Sequence, residues 1–148
     1  MAQATSNRNT LQLDGLGRLP KALTVKDNEI LFAGVMLALD GNNEIVRASD
    51  SAGLKVVGRN PAYCDNTNDG KTVAPDLGTF KFDNAGTNGV SEGDLIAYVK
   101  DDQTVCGAAG SVNKVVAGLV VAVEGGGVWV CQTLEGLRAA LAIHRTET

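Results

Sequence analysis

The apolar residues of this chain fall in short runs, and clusters of Gly, Asn, Asp and Ser separate one run from the next. Many short β-type runs with a turn signal every roughly 8–12 residues are typical of a barrel or sandwich. We therefore predict an all-β fold, a small barrel or sandwich of short antiparallel strands. The predicted strands are GVMLAL (34–39), EIVRA (44–48), LKVVGR (54–59), LGTFKF (77–82), LIAYVK (95–100), TVCGA (104–108), KVVAGLVVAV (114–123) and VWVCQ (128–132).

Helical periodicity is confined to the C-terminal stretch TLEGLRAALAIHR (133–145). Leu134, Leu137 and Leu141 fall on one stripe of such a helix, and Thr133 suits its N-cap position. A short C-terminal helix of this kind has two roles open to it. It can lie on its own barrel, or it can join subunits.

The N-terminal segment is rich in Asn, Thr and Gly, and it offers Leu11, Leu13 and Leu16 for burial. A segment this polar predicts an extended arm that is ordered against a partner. The predicted organisation is an arm over residues 1–18, a β-barrel domain over residues 19–132, and a helix and tail over residues 133–148.

Two stretches of the chain resemble each other. GVMLALDGNNEIVRASDSAGLKVV (34–57) and GDLIAYVKDDQTVCGAAGSVNKVV (93–116) align without a gap. Each reads as strand, hairpin turn, strand, loop and strand. We predict two similar β-units that pack together to close one barrel, with chance similarity of two hairpin segments as the alternative.

The charge of the chain argues against a nucleic-acid partner. The net charge is −4 and the 13 Lys and Arg residues do not cluster, so the chain lacks a basic stripe for phosphates. The start MAQATSNRNT lacks the apolar region of a secretion signal, and no apolar run approaches the ~20 residues that span a bilayer. We expect a protein that is made in the cytoplasm and binds neither nucleic acid nor membrane.

Residues that could carry catalysis are few and scattered. The one histidine, His144, lies near the end of the predicted helix, and Cys64, Cys106 and Cys131 are widely spaced. An odd number of distant cysteines indicates buried thiols rather than disulfides, and a nucleophile needs a base beside it. GGG (125–127) links two strands, whereas a phosphate-binding loop leads into a helix. We predict that the chain is not an enzyme and has no catalytic residue, cofactor or metal.

In the loop DNTNDGKTVAPD (65–76), the spacing of Asp, Thr and Gly matches that of a calcium-binding loop. Asp65, Thr67 and Asp69 occupy positions one, three and five, and Gly70 occupies position six. A calcium hand is flanked by helices, whereas β-type runs flank this loop on both sides. Asp, Asn, Thr and Gly all favour turns through local hydrogen bonds or positive φ. We interpret the loop as a connector, with a weak cation site as the alternative.

The order of three segments resembles a known family. ALDGNNEIVRASDSAGLKVVGR, then TFKFDNAGTNGVSEGDLIAYVKDDQTV, then VVAGLVVAVEGGGVWV resembles the small capsid cement or decoration proteins of tailed bacteriophages. The similarity is greatest to those encoded near the major capsid protein in Mu-like and related phages. It covers residues 19–131 and rests on the order of β-segments rather than on a chemical motif. The arm and the C-terminal helix have no counterpart in it.

The resemblance implies a non-enzymatic virion protein that binds the outer surface of an icosahedral head and bridges major capsid subunits. Many copies on a rigid shell gain from multivalency, and an arm can add a strand to a neighbouring sheet edge. A homo-oligomer is implied as well, with a trimer favoured and a dimer as the alternative. The hypothetical oligomer or capsid interface consists of the leucines of the arm and of the helix: Leu11, Leu13, Leu16, Leu134, Leu137 and Leu141.

Two other functions stay open from the sequence. A soluble cytoplasmic β-barrel that binds a ligand needs a concave pocket with convergent polar groups, and the chain has no cluster of Trp, Tyr and Arg to build one. A weakly active hydrolase would have only Asp, Glu and Cys to use.

The hairpin VVAVEGGGVWV contains the one tryptophan, Trp129, among alternating apolar residues. We expect its ring to lie in the core. If the ring is exposed instead, it becomes a candidate contact to the shell.

Overall fold

A computed structural model describes residues 3–10, 12–18 and 22–147 of the chain. It confirms the predicted fold class, a mostly β protein with a closed five-strand barrel, additional strands and one short C-terminal helix. The strands are β1 (Gln12–Arg18), β2 (Leu23–Thr24), β3 (Ile30–Leu31), β4 (Met36–Leu39), β5 (Ile45–Arg47), β6 (Lys55–Arg59), β7 (Cys64–Asp65), β8 (Thr72–Val73), β9 (Asp76–Asn84), β10 (Ile96–Val99), β11 (Thr104–Cys106), β12 (Val116–Glu124) and β13 (Gly127–Cys131). The helices are a short 3₁₀ turn (Ala108–Gly110) and α1 (Leu134–Glu147).

The barrel closes in the order β9, β13, β12, β10, β11 and back to β9. Its pairs are antiparallel except at the closure, where β11 runs parallel to β9 through Thr104↔Asp83 and Val105↔Asn84. Because successive side chains of a strand point to opposite faces, every second residue enters the barrel. The interior is filled by apolar side chains, among them Phe80, Phe82, Val99, Val105, Val128 and Val130.

A second unit of three strands lies beside the barrel. β4 is its central strand, with β5 and β6 on either side, and β6 joins β9 through Arg59↔Asp76. One face of β4 places Met36 and Ala38 in the same core as the barrel interior. The other face places Leu37 in a second core, formed with segments that flank the unit in sequence. The unit is therefore anchored to the barrel by both a backbone pairing and a shared core.

The predicted pseudo-repeat is confirmed as two units of the same topology. β10 lies between β11 and β12, just as β4 lies between β5 and β6. Leu37 pairs with Gly58 and Ala97 pairs with Gly118, and a register shift follows each pair. The ungapped alignment, continued, sets Gly58 against Ala117, so the structural correspondence lies one residue further on. Only the second unit contributes strands to the closed barrel, so the prediction that both units close it is wrong.

The N-terminal segment lies on its own chain. Ala4 and Thr10 are 5% and 3% exposed, and β1 pairs antiparallel with the first half of β9. The prediction that a partner is needed to order this segment is therefore wrong for the residues that the structure describes. The division into an arm (1–18), a barrel domain (19–132) and a helix and tail (133–148) stays a prediction.

Helix α1 packs on the outside of the barrel against β12 and β10. Its first turn is capped as predicted, because the Thr133 hydroxyl accepts the N–H of Gly136 at 2.9 Å. Leu137 and Ala140 are buried beneath the helix. The first role considered, lying on its own barrel, is confirmed, and that the helix also joins subunits stays a prediction. No described helix is long and apolar enough to cross a membrane.

Candidate functional site

The β12–β13 hairpin turns one row of side chains into the barrel. Val120, Val123, Val128 and Val130 contact the core that fills the interior. A register shift between Val120 and Ala122 inserts one extra residue into β12. A bulge of this kind changes which side chains of the strand point outward.

The other row of the hairpin points outward. This row runs across the three strands β12, β13 and β9, where Trp129 pairs with Ala122 on one side and with Lys81 on the other. The neighbouring pairs on either side of this row face the core. Ala122 is exposed, Trp129 is half-buried, and Val121 in the bulge is 51% exposed. We call Val121, Ala122 and Trp129 the hairpin face. It is an apolar surface that the strand alternation leaves on the outside of a closed barrel.

The prediction that Trp129 lies in the core is wrong, because Val128 and Val130 take the inward positions of its strand. The indole Nε1 instead donates to Glu124 Oε1 at 2.8 Å. Lys81 Nζ lies 5.9 Å from the ring centre, within reach of a cation–π contact. These two contacts hold a large amphipathic ring in place on the outer surface. Trp129 is therefore a candidate contact to another protein.

The helix leucines predicted to form an interface lie in different surroundings. Leu137 is 8% exposed and belongs to the main core, and Leu141 packs partly buried against the core beneath α1. Both serve the fold of their own chain. Leu134, at the start of α1, is 43% exposed and is the helix leucine available to a neighbour.

The arm leucines cannot be placed at an interface by their side chains. Leu11 lies outside the described residues, and Leu13 and Leu16 belong to β1, which is described by its backbone. Their role in assembly stays a prediction.

The loop over residues 65–76 is organised around Asn66 rather than around its aspartates. The side chain of Asn66 is fully buried. Its Nδ2 donates to the carbonyls of Val25 and Lys26 at 3.0 Å each, and its Oδ1 accepts the Lys71 N–H at 3.1 Å. These bonds attach the loop to the segment before β3, and such a structural role agrees with the interpretation of the loop as a connector. The sequence pattern drew attention to the charged residues and missed this neutral one.

The aspartates of the loop face different neighbours. Asp65 Oδ1 accepts the N–H of Thr67 at 3.0 Å, and this bond lowers the pKa of Asp65. Partial desolvation and the nearby Asp27 carboxylate raise the pKa of Asp69. Asp69 and Gly70 have φ of 62° and 82°, the conformation expected of turn formers. Within residues 3–10, 12–18 and 22–147, no three His, Cys, Asp or Glu residues are grouped to hold a metal ion.

Replacing Asn66 with Ala is expected to lower the free energy of unfolding by about 2 kcal/mol, because it leaves buried backbone groups without partners. The double variant Asp65→Ala with Asp69→Ala serves as the control and is expected to unfold as the wild type does. Urea titrations of the three proteins measure this. The melting temperature of the wild type should also be the same in calcium and in chelator. A drop of more than about 5 °C in chelator would instead establish a cation site.

The surroundings of two thiols and of the histidine bear on whether the chain could catalyse a reaction. Burial raises the pKa of Cys64 and of Cys106, which disfavours the reactive thiolate. His144 projects from α1 toward the barrel, where its Nδ1 lies 2.9 Å from the Tyr98 hydroxyl and the two rings meet edge to face. The contact joins the helix to β10. That the chain is not an enzyme stays a prediction.

A groove of about 470 Å³ runs between residues 60–64 and 70–74. Tyr63 on its rim is 49% exposed, and its ring centre lies 5.7 Å from that of Phe32. The groove is open to solvent, whereas sites for small molecules enclose most of the ligand surface. Its shape therefore gives the ligand-binding alternative little support.

No known protein family matches the sequence, and neither a curated protein nor a solved structure matches the chain.

Proposed function

We propose that this chain is a non-enzymatic cement protein that binds the outer surface of a bacteriophage head and bridges major capsid subunits. The observation that carries the proposal is the hairpin face, which displays Val121, Ala122 and Trp129 on the outside of a closed barrel. The order of β-segments, which resembles that of phage decoration proteins, supports the same function. The protein would be made in the host cytoplasm and would act on the virion surface.

The hairpin face suits contact with a rigid shell. Exposed apolar side chains are stabilised when another protein covers them, and Trp is among the residues that dominate binding energies at interfaces. Lys81 and Glu124 stand beside the indole, so a charged rim borders the apolar centre. A modest contact of this size is sufficient when the copies joined in one oligomer bind the head at the same time.

Self-association belongs to the same proposal, with a trimer favoured and a dimer as the alternative. Leu134 is exposed at the start of α1, whereas Leu137 and Leu141 pack on their own chain. A neighbouring copy that covers Leu134 would remove the large exposed leucine of the helix from water.

Replacing Val121 with Asp is expected to weaken head binding about tenfold or more, because a charge within an apolar contact loses its water without gaining a partner. Purified protein is mixed with heads assembled from the major capsid protein of the phage or prophage that encodes the chain. Co-sedimentation over a range of concentrations then gives the binding curve.

The matched control is Val112→Asp. Val112 is 86% exposed in the loop before β12, whereas Val121 lies toward the other end of that strand. The control variant is expected to bind heads as the wild type does. If wild-type protein fails to co-sediment with the heads, the proposed function is wrong. If both variants bind as the wild type does, the hairpin face is not the contact.

A further inference from the structure

Residues 3–10, which we call the strap, cross the junction between the β4–β6 unit and the barrel. Ala4 and Thr10 are almost fully buried, yet the strap forms no strand and has no continuous ladder of backbone hydrogen bonds. The strap is therefore held by individual side-chain and backbone bonds rather than by a ladder, and these bonds reach both sides of the junction.

On one side, the strap bonds to the β4–β6 unit and the loop before it. The Ala33 N–H donates to Asn7 Oδ1 at 3.0 Å, and the Arg8 N–H donates to the Ala33 carbonyl at 2.9 Å. The Arg59 guanidinium donates to the Thr10 carbonyl at 2.8 Å.

On the other side, the strap bonds to the barrel. The Arg8 guanidinium donates to the Gln103 carbonyl at 3.1 Å and lies 3.4 Å from Asp83 Oδ1. The Ala4 N–H donates to Asp102 Oδ1 at 2.8 Å. The strap therefore contacts both units, through Ala4 near one end, Thr10 at the other end and Arg8 between them.

Asp102 binds the strap through a buried carboxylate, and burying that charge is unfavourable. It is fully buried, and among the described residues its Oδ2 has no hydrogen-bond partner. Arg47 lies 3.9 Å from that oxygen and donates to the Ala4 carbonyl at 3.1 Å. Burial raises the pKa of Asp102, while the Ala4 N–H and the Arg47 charge oppose the rise. A carboxylate held this way is less stable than one in water, so opening the strap relieves part of the cost of closing it.

We propose that residues 3–10 are a releasable strap, which opens as one unit while the barrel stays folded and which in its closed state reinforces the attachment of the β4–β6 unit to the barrel. Segments with few buried apolar contacts open at lower free energy than the core, and Ala4 is the residue of the strap that belongs to an apolar core. The strap bonds to both sides of the junction, so its opening removes contacts to both units at once, while the backbone pairing and the shared core remain. The proposal concerns the free protein and is independent of head binding.

Hydrogen exchange of the full-length protein tests the strap through three amides. The N–H groups of Ala4, Arg8 and Ala33 bond across the strap and are expected to exchange at a common opening equilibrium. The amides of Phe80 and Val130 in the barrel are expected to be protected at least about tenfold more strongly.

Replacing Arg8 with Ala is expected to speed exchange at all three amides about tenfold or more, because hydrogen bonds to a charged group are lost. Ala4 is the decisive reporter, since its own bond to Asp102 is untouched by the change. Arg138→Ala on the exposed side of α1 is the matched control and should leave every rate unchanged. Asp102→Ala leaves the buried Ala4 N–H without its acceptor, so it should also speed exchange at the three amides although it removes a buried charge.

Two results would contradict the proposal that residues 3–10 open as one unit. In one, the three amides exchange no faster than those of Phe80 and Val130, so that the segment opens only when the whole protein unfolds. In the other, Arg8→Ala speeds exchange at Arg8 alone and leaves Ala4 unchanged, so that the segment frays residue by residue. If Asp102→Ala does not fold, Arg8→Ala decides the question on its own.

Discussion

Replacing Gly118 with Ala is expected to lower the free energy of unfolding by about 3–5 kcal/mol, through backbone strain and overpacking together. Gly118 has φ of +152°, a conformation that L side chains rarely adopt. A Cβ at this position would lie 2.8 Å from Val130 Cγ1 and closer still to the Cys131 carbonyl oxygen. Both obstacles belong to β13, the neighbouring barrel strand, which cannot withdraw without breaking the ladder. Denaturant titration followed by circular dichroism measures the loss.

Gly41→Ala is the matched control, because a Cβ there meets nothing within 4 Å and the change should stay within about 0.5 kcal/mol. Gly58 is the equivalent of Gly118 in the first unit. Its φ is +131°, and a Cβ would meet the Asp76 carbonyl of β9. Gly58→Ala is therefore expected to be comparably destabilising. A cost for Gly118→Ala no larger than that for Gly41→Ala would mean that β13 does not approach β12 so closely.

The sequence indicates a close backbone approach at Gly58 and Gly118, but it does not indicate that the two positions are equivalent. The runs KVVGR and KVVAGLVV each carry a glycine inside a strand, which is a recognised signal of a bulge or of a close backbone approach. The ungapped alignment ends one residue before Gly58, and its continuation sets Gly58 against Ala117, which hides the correspondence. The repeat itself was predictable, because the same order of strand, turn and strand recurs. The bulge register was not, since it depends on which neighbour each strand receives.

The strands of the barrel were predictable because their apolar, β-branched runs are bounded by turn formers. LGTFKF and VWVCQ fall in β9 and β13 with small shifts at the ends. The two-residue strands escaped prediction because each exists only through a distant partner, as Leu23 does with Val73. The strap escaped for a similar reason, since a polar segment carries no periodicity and its bonds reach residues far along the chain.

The candidate site was harder to predict than the fold. Alternation in VWV shows that Trp129 and its flanking valines lie on opposite faces, but not which face is inside. Pairing with β9 decides this, because Val130 stands beside the inward Phe80 while Trp129 stands beside Lys81. Of the predicted leucine stripe of α1, Leu137 and Leu141 pack inward, whereas Leu134 is 43% exposed. Whether the stripe faced a barrel or a partner depended on the barrel surface, where Leu137 fills a core position.

Replacing Phe80 with Ala is expected to lower the free energy of unfolding by about 3–5 kcal/mol, the usual cost of removing a large buried ring. Phe80 is fully buried at the centre of the main core. Its ring meets that of Phe82 edge to face at 6.4 Å, and the Arg59 guanidinium lies 4.4 Å from its centre. The loss therefore includes a cation–π contact between the barrel and the first unit as well as a cavity. Unfolding in guanidinium, followed by tryptophan fluorescence and circular dichroism together, measures it.

The informative comparison is Trp129→Ala, which removes an even larger side chain from the outer row of the same sheet. Its expected cost is only about 1 kcal/mol, because a half-buried ring leaves little cavity and a single exposed hydrogen bond to Glu124 is lost. Circular dichroism alone follows this variant, since it lacks the fluorophore. A cost above about 3 kcal/mol for Trp129→Ala, equal to that of Phe80→Ala, would place the indole in the core. The hairpin face would then lose its central residue as a contact, and Val121 and Ala122 would have to carry the binding.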